Sequence, residues 1–198
     1  MKLEEAKRDF YRRRARAEGY RSRASYKLLE AVKRYKLINR GDRVIDLGAA
    51  PGGWVQVASD AVGTSGLVIG VDVDPVELDL SNARTLQIDI NDRSLLETIK
   101  TLLPSGADVI LSDLSPNISG AWDLDHYRQI ELTLRSLQLC DIFLRASGNA
   151  MFKVFEGERF GELRKEVGRR FRTVTIMKPK ASRRESSEIY LVCLDRLG

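Results

Sequence analysis

Seven short apolar runs, most of them followed by a helical pattern, constrain the fold of this 198-residue chain more than any other feature. The runs are mostly rich in Val, Ile, Leu and Phe, which is typical of buried strands. They lie at 43–47, 67–72, 85–88, 107–112, 149–154, 171–177 and 188–194. Strands that alternate with helices predict an α/β fold, in which a seven-stranded, mostly parallel sheet carries helices on both faces.

The connections between the runs refine this prediction. The clearest helical patterns occupy 24–36, 53–62, 92–103, 124–146 and 158–169. The last two runs are joined by the polar segment KPKASRRESS instead of a helix, so we expect the last strand to pair antiparallel with the strand before it. Ligands of such sheets bind outside the carboxyl ends of the parallel strands.

Three charged residues fall at that same edge of the predicted sheet. Asp113 follows the fourth strand, Lys153 lies near the end of the fifth, and Glu188 opens the reversed last strand. If these strands are neighbours at a spacing of about 4.8 Å, the three side chains lie within roughly 10 Å of one another. The sequence therefore predicts a cleft that contains two acids and a lysine.

The segment DLGAAPGGW, residues 46–54, joins the first strand to a helix in the kind of turn that holds small molecules. It lacks the second glycine of the dinucleotide fingerprint G-x-G-x-x-G, because Ala50 occupies that position, so a ligand without a pyrophosphate fits better. Asp46 places a carboxylate under the turn, which favours a positively charged ligand such as S-adenosylmethionine. Asp72 lies 20 residues after Gly52, the spacing at which an acid meets ribose hydroxyls.

Length and composition are those of one well-packed domain, since 43% of the residues are hydrophobic. We expect a single domain over 1–198 with a basic N-terminal helical extension at about 1–35. No apolar run approaches the roughly 18 residues of a membrane span, so we expect a soluble, cytoplasmic protein without a membrane partner. We also expect a monomer. Cys140 and Cys193 lie in no Cys-x-x-Cys or Cys/His cluster, which predicts neither a disulfide nor a metal site.

Basic residues are concentrated in two blocks, although the net charge is only +5. Residues 1–27 contain ten Lys or Arg against four Asp or Glu, and residues 159–184 contain ten against two, which leaves 13 against 22 in the rest of the chain. Tyr11, Tyr20 and Tyr26 interleave with the arginines of the first block, as stacking surfaces for bases would. Two such blocks beside an acidic body indicate a polyanionic partner.

Five ordered segments span nearly the whole chain: RSRASYKL (21–28), DLGAAPGGW (46–54), SDLSPN (112–117), FKVFEGE (152–158) and KPKASRRESSEIYLV (178–192). Together they resemble the RrmJ/FtsJ family of S-adenosylmethionine-dependent RNA ribose 2′-O-methyltransferases. The departures are minor, such as Leu114-Ser115. The resemblance implies a class I S-adenosylmethionine-dependent methyltransferase fold (Rossmann-like), S-adenosyl-L-methionine as cofactor and RNA as partner.

The resemblance also implies the residues of the active site. The catalytic tetrad of the family corresponds to Lys27, Asp113, Lys153 and Glu188. Its cofactor contacts correspond to Gly52, Trp54, Asp72, Asp89 and Asp113. On the residues alone, Trp54 could be plain core and Asp89 could cap the following helix. The roles of Asn117, Trp122 and Asp125, on the segment after the fourth strand, stay open.

The implied reaction transfers a methyl group to a ribose 2′-hydroxyl, with Lys153 either as the base or as the group that orients the hydroxyl. The substrate implied first is a uridine in the A-loop of large-subunit (23S-type) ribosomal RNA, in the assembled subunit, and the tRNA anticodon loop is the alternative. A nicotinamide-dependent oxidoreductase and a non-catalytic RNA-binding factor of ribosome assembly are the competing classes. A serine hydrolase is disfavoured, because the one histidine, His126, is accompanied by no G-x-S-x-G motif.

Overall fold

The computed structural model describes residues 2–182 and 186–198, and within these residues seven strands form one sheet. The strands are β1 (Arg43–Leu47), β2 (Leu67–Asp72), β3 (Ala83–Gln87), β4 (Ala107–Ser112), β5 (Leu144–Phe155), β6 (Phe171–Met177) and β7 (Glu188–Arg196). Their order is β3-β2-β1-β4-β5-β7-β6; all pairs among β1 to β5 are parallel, and β7 is antiparallel to both β5 and β6. The predicted α/β class, mostly parallel sheet and reversed last strand are confirmed.

Six helices in the described part of the chain accompany the sheet and cover both of its faces. They are α1 (Lys2–Ala17), α2 (Ser25–Tyr35), α3 (Gly53–Val62), α4 (Ser94–Leu102), α5 (Trp122–Phe143) and α6 (Phe160–Gly168). Leu28 of α2 and Val55 of α3 belong to one apolar cluster. Ile99 of α4, Leu137 of α5 and Leu163 of α6 belong to the other, so the central strands are covered on both sides. Among the described residues, no helix has both the length and the apolar character needed to cross a membrane.

The boundary between α5 and β5 lies earlier than the sequence pattern predicts. α5 ends at Phe143 and β5 begins at Leu144, whereas the pattern predicted a helix to 146 and a strand from 149. Leu144 is buried and pairs with Ala107 at the start of β4, and a shift of register follows. Residues 145–147 are exposed, so an apolar helix face could not continue through them. The other predicted boundaries differ from the observed ones by at most two residues.

Helix α1 and the segment after it are held against α2 by aromatic side chains. Tyr11 and Tyr20 both contact Tyr26, with ring centroids 5.3 and 5.9 Å from that ring. Ala15 of α1 is buried in the same cluster. Tyr26 is itself buried, so it packs the basic segment onto the domain and is not the exposed stacking surface that the sequence suggested.

The carboxyl ends of β1, β4 and β5 meet the amino end of β7 at one edge of the sheet. In the antiparallel register of β5 and β7, Phe155 lies opposite Glu188 and Lys153 lies opposite Tyr190. Asp113 directly follows β4, the neighbour of β5 on its other side. The topology therefore collects several polar side chains at this edge.

Candidate active site

Four charged residues singled out in the sequence lie in contact at this edge. Lys27 Nζ, from α2, donates a hydrogen bond to Glu188 Oε1 (2.6 Å). Lys153 Nζ, from β5, lies 3.3 Å from Asp113 Oδ1 and 4.0 Å from Glu188 Oε2. Both lysines are buried. The sheet topology brings Asp113, Lys153 and Glu188 together. The structure adds Lys27, which only the resemblance supplied, to the same cluster.

Tyr190 is a member of this cluster that the sequence analysis missed. Its hydroxyl accepts a hydrogen bond from Lys27 Nζ (3.0 Å) and donates one to Asp113 Oδ1 (2.6 Å). Burial, and after it the charges of Asp113 and Glu188, raise the pKa of Tyr190 well above its ordinary value, so the hydroxyl stays protonated. Tyr190 lies two residues after Glu188 on β7 and hence on the same face, and this period of two is the signal that could have revealed it.

Glu188 is kept ionised by its neighbours. Burial raises its pKa, but the charge and hydrogen bond of Lys27, followed by Lys153 and Ser182, lower the pKa below its ordinary value overall. Ser182 Oγ donates to Glu188 Oε1 (2.8 Å). Because the folded pKa is lowered, this group stabilises the fold above its unfolded pKa of ~4.3, and the stabilisation is lost as the pH falls through the folded pKa.

Lys153 is positioned at both its backbone and its ammonium group. Its carbonyl oxygen accepts hydrogen bonds from Gln129 Nε2 (3.0 Å) and Thr133 Oγ1 (3.2 Å) of α5. Gln129 Nε2 also donates to the carbonyl oxygen of Leu114 (3.2 Å), so this one side chain ties β5 to the segment after β4. The ammonium group donates to the carbonyl oxygen of Asp113 (3.0 Å). The backbone and the ammonium group of Lys153 are therefore both held in place.

The glycine turn after β1 packs directly against the segment that carries Asp113. Gly48 has a φ of +80°, and a Cβ at this position would lie 2.9 Å from the backbone nitrogen of Leu114, so a side chain would push the two segments apart. Asp72, at the end of β2, accepts a hydrogen bond from the backbone N–H of Ala50 (2.8 Å). The turn is thereby fixed beside the carboxylates of Asp72 and Asp113.

Asp46 lies beneath this turn, where the sequence placed it, but it is fully buried rather than open to a ligand. Neither of its carboxylate oxygens has a hydrogen-bond partner among the described residues. Burial, and after it the charges of Asp113 and Asp72, raise the pKa of Asp46 well above its ordinary value. An unpaired buried acid is costly, and positive charge bound at the turn would favour its ionised form. The residues at this turn therefore fit a cationic ligand such as S-adenosylmethionine, which carries sulfonium and ammonium groups.

Two cavities lie beside the segment that follows β4, and one of them adjoins the turn. The first, of about 800 Å³, is named here the Asp89 cavity, and its lining includes Asp72, Asp89, Leu114 and Asn117. The second, of about 520 Å³, is named the arginine cavity, and its lining includes Arg12, Arg16, Arg21, Arg23, Lys27, Ala49 and Asp113. Asp113 and Leu114 are adjacent in the chain, so consecutive residues beside the charged cluster belong to the linings of the two cavities.

Two of the predicted cofactor residues, Trp54 and Gly52, make their close contacts with other residues of the protein. Trp54 is buried, its Nε1 donates to the carbonyl oxygen of Ala24 (2.9 Å), and its ring centroid lies 5.8 Å from that of Tyr190. Gly52 has a φ of +104° at the start of α3, and a Cβ there would lie 2.7 Å from Leu78 Cδ1. Trp54 also borders the arginine cavity, whereas Gly52 shapes the turn through its backbone.

Asp89 lies on a cavity wall, whereas Asp125 is hydrogen-bonded within the protein. Asp92, rather than Asp89, accepts a hydrogen bond from the backbone N–H of Ser94 at the start of α4 (2.8 Å), which leaves Asp89 on the cavity wall. Asp125 accepts hydrogen bonds from both the backbone N–H and the Oγ of Ser119 (2.8 Å each), so it shapes the segment before α5. The described residues contain no group of three or more His, Cys, Asp or Glu side chains that could hold a metal ion.

The sheet order with its reversed β7, together with the acid-flanked glycine turn, defines a class I methyltransferase. A model of the FtsJ-like methyltransferase family matches residues 20–196, and the chain belongs to this family. The family predicted from the sequence is therefore confirmed, and with it S-adenosylmethionine as the cofactor.

Relatives match the chain over its full length. Proteins named Ribosomal RNA large subunit methyltransferase E from Cenarchaeum symbiosum (strain A) and Nitrosopumilus maritimus (strain SCM1) are 47% and 42% identical to it over 198 residues, with 100% of both chains covered in each case. These identities make the chain similar to both proteins throughout and not only in the motifs.

Solved structures agree with the fold. A Plasmodium falciparum protein described as a ribosomal RNA methyltransferase has a TM-score of 0.82 and 29% sequence identity, and the match covers 90% of this chain and 100% of that one. Fibrillarin from Aeropyrum pernix, solved with natively bound S-adenosyl-L-methionine, has a TM-score of 0.59 and 18% identity, with 88% of this chain and 75% of that chain covered. At that identity, the fibrillarin match shows the fold alone.

Proposed function

We propose that the chain is an S-adenosylmethionine-dependent RNA ribose 2′-O-methyltransferase and that its substrate is a uridine in the A-loop of large-subunit ribosomal RNA. The observation that carries this proposal is the contact of Lys27, Asp113, Lys153 and Glu188 beside the glycine turn. A relative 47% identical over the full chain is named for large-subunit ribosomal RNA, which supports that class of substrate. We assign the reaction to the cytoplasm and to one methyltransferase domain over 1–198 with a basic N-terminal helical extension.

The residues around the turn fit S-adenosylmethionine in two parts. We assign Asp72 and Asp89, on the wall of the Asp89 cavity, to its adenosine. We assign its cationic end to the carboxylate of Asp113, with the buried Asp46 acting from beneath the turn through its charge and without contact. When bound, this molecule supplies an already activated methyl group. The protein then has to align the ribose hydroxyl and control its proton.

Lys153 is the group that we assign to the ribose hydroxyl. Its ammonium nitrogen lies between the carboxylates of Asp113 and Glu188, which fix its position. Tyr190 links Lys27 to Asp113, so the second lysine is part of the same framework. As a neutral amine Lys153 would accept the hydroxyl proton, and as an ammonium group it would orient the hydroxyl oxygen by donating to it.

Replacement of Asp46 by asparagine tests the electrostatics beneath the turn. Because the folded pKa of Asp46 is raised, ionisation of wild-type Asp46 lowers the free energy of unfolding as the pH rises above its unfolded pKa. Asp46→Asn removes this loss, so the stability of the variant relative to wild type should grow between pH 5 and pH 8. For each pH unit above the unfolded pKa of Asp46, the free energy of unfolding of the variant should rise by about 1.4 kcal/mol relative to wild type. The rise stops at the folded pKa.

Denaturant unfolding at both pH values measures this effect in cofactor-free protein, and calorimetry should show weaker S-adenosylmethionine binding by Asp46→Asn at pH 8. Asp79→Asn, at an exposed aspartate, is the control and should show neither change. A stability difference independent of pH would contradict the assignment of a raised pKa to Asp46.

The arginine cavity is the surface that we assign to the RNA backbone. Its arginines line the same cavity as Lys27 and Asp113, so a phosphate chain bound there would bring a ribose to the charged cluster. A single-stranded loop is required, because the ribose has to be lifted into the site and its base splayed out. A non-catalytic RNA-binding role is disfavoured, because such a protein has no use for a buried cluster of two lysines and two carboxylates.

The decisive experiment incubates the protein and labelled S-adenosylmethionine with large ribosomal subunits and, separately, with bulk tRNA, both from a strain that lacks the enzyme. We expect label in subunit RNA, released by nuclease digestion as 2′-O-methyluridine and located in the A-loop by primer extension. Label in tRNA alone would replace the ribosomal substrate with the anticodon loop. Label on a base, or in no RNA, would contradict ribose methylation itself.

A further inference from the structure

Trp122, the first residue of α5, is an exposed aromatic side chain that is nevertheless held in place. It is 48% exposed. Its ring is stacked with those of His126 and Phe155, with centroids 6.0 and 5.9 Å away and interplanar angles of 18° and 24°. His126 and Phe155 are both buried, and His126 Nε2 accepts a hydrogen bond from the backbone N–H of Arg159 (3.3 Å). Two anchored rings therefore fix the orientation of a third ring that faces solvent.

The position of Trp122 relative to the charged cluster follows from the sheet register. Phe155, on which Trp122 is stacked, lies opposite Glu188 in the β5–β7 pair. Lys153 lies two residues before Phe155 on the same strand and hence on the same face. Trp122 therefore contacts Phe155, and Phe155 is the strand neighbour of both Lys153 and Glu188.

A second exposed ring and a cation lie close to the same end of α5. Tyr127 is exposed, and the guanidinium carbon of Arg159 lies 5.0 Å from its ring centroid. Tyr127 is the neighbour of His126 on α5, and the backbone N–H of Arg159 donates to His126 Nε2, so the backbones of both residues adjoin His126. We name Trp122, Tyr127 and Arg159 the aromatic patch. Rings and guanidinium planes of this kind bind unpaired nucleobases by stacking, and an exposed patch of large side chains beside an active site marks an interaction surface.

We propose that Trp122 is the stacking surface for an unpaired nucleobase of the RNA substrate, next to the ribose that enters the charged cluster. The inference rests on the proposed function and extends it to a residue whose role the sequence left open. Continuity with the cluster through Phe155 and Glu188 favours a base over a protein partner, since a splayed ribose places its own or a neighbouring base beside it. The patch orders the bases, while the arginine cavity holds the phosphates.

Kinetics with large ribosomal subunits from a strain that lacks the enzyme test the proposal. Trp122→Ala should raise KM for the subunit by roughly 5- to 150-fold, the loss expected for one base–aromatic stack. Trp122→Phe should recover part of this loss, and calorimetry should find S-adenosylmethionine affinity unchanged in both variants. Ile142→Ala is the matched control, because Ile142 is 49% exposed near the other end of the same helix. An unchanged KM in Trp122→Ala would overturn the proposal.

Tryptophan fluorescence supplies a readout that does not depend on turnover. The chain has two tryptophans, and Trp54 is buried. Addition of a single-stranded oligouridylate should quench the emission of the wild type, and Trp122→Phe should abolish most of that quenching. Quenching that persists in Trp122→Phe, or a concentration-dependent self-association that Trp122→Ala abolishes, would overturn the proposal. Quenching without methylation of any RNA would refute the proposed function and leave the stacking site standing.

Discussion

Replacing Lys153 with alanine is expected to lower the rate of methylation by roughly 10²- to 10⁴-fold, the range for a positioned acid–base group. The ammonium group of Lys153 donates to the carbonyl oxygen of Asp113, and a hydrogen bond from α5 holds the backbone of the residue, so alanine removes a positioned group. S-adenosylmethionine affinity should stay the same, because the lysine is assigned to the hydroxyl and not to the cofactor. Single-turnover kinetics and calorimetry separate the two effects.

An arginine variant distinguishes the two roles left open for Lys153. Arginine keeps the positive charge but cannot accept a proton, because its pKa lies above ~12. If Lys153 is the base, Lys153→Arg should be as slow as Lys153→Ala, whereas an orienting role should leave Lys153→Arg substantially faster. Lys100→Ala, at an exposed lysine of α4, is the control. Near-normal turnover in Lys153→Ala, with a thermal midpoint equal to that of wild type, would show that the cluster is not the catalytic centre.

The part of this architecture that the sequence predicts is the part governed by short-range periodicity. Buried central strands of a two-sided sheet are largely apolar runs, and the less buried edge strands β3 and β6 still carry several apolar residues, so all seven strands could be predicted. A polar connection without a helical pattern was enough to reverse β7. Once β4, β5 and β7 are neighbours, the ends of the strands place Asp113, Lys153 and Glu188 at one edge. The geometry of the site was in this sense a consequence of the fold.

What the sequence did not reveal depends on which atoms meet across elements. The bond from Tyr190 to Asp113 requires the register of β5 against β7, and the complete burial of Asp46 requires the packing of the turn onto β4. The end of α5 was misplaced because Leu144 continues the apolar pattern of the helix, although its burial is against β4. Such features follow from tertiary contacts, which local pattern does not encode.

Removing the charges of the arginine cavity is expected to weaken RNA binding by on the order of 10²- to 10³-fold at low salt, if each charged contact contributes about 1 kcal/mol or slightly more. The variant Arg12→Gln/Arg16→Gln/Arg21→Gln is suited to this test because all three side chains are exposed and line the cavity. Arg12 and Arg16 are four residues apart on α1 and so share one face. Arg23 is left in place, because its Nη1 donates to the carbonyl oxygen of Ala181 (3.2 Å).

The salt dependence of binding gives this prediction its specificity. Each lost phosphate contact should flatten the slope of log K against log salt by about 0.7 to 0.9, so the triple variant should lose about 2 to 3 in slope. Deletion of residues 1–20 should flatten it further and leave S-adenosylmethionine binding intact, since none of the carboxylates assigned to that ligand belongs to the deleted segment. Lys36→Gln/Arg40→Gln/Lys100→Gln removes three exposed charges outside both cavities and is the matched control. Equal slopes in the two triple variants would mean that α1 contributes only to the overall charge of the protein and does not hold the RNA backbone beside Lys27.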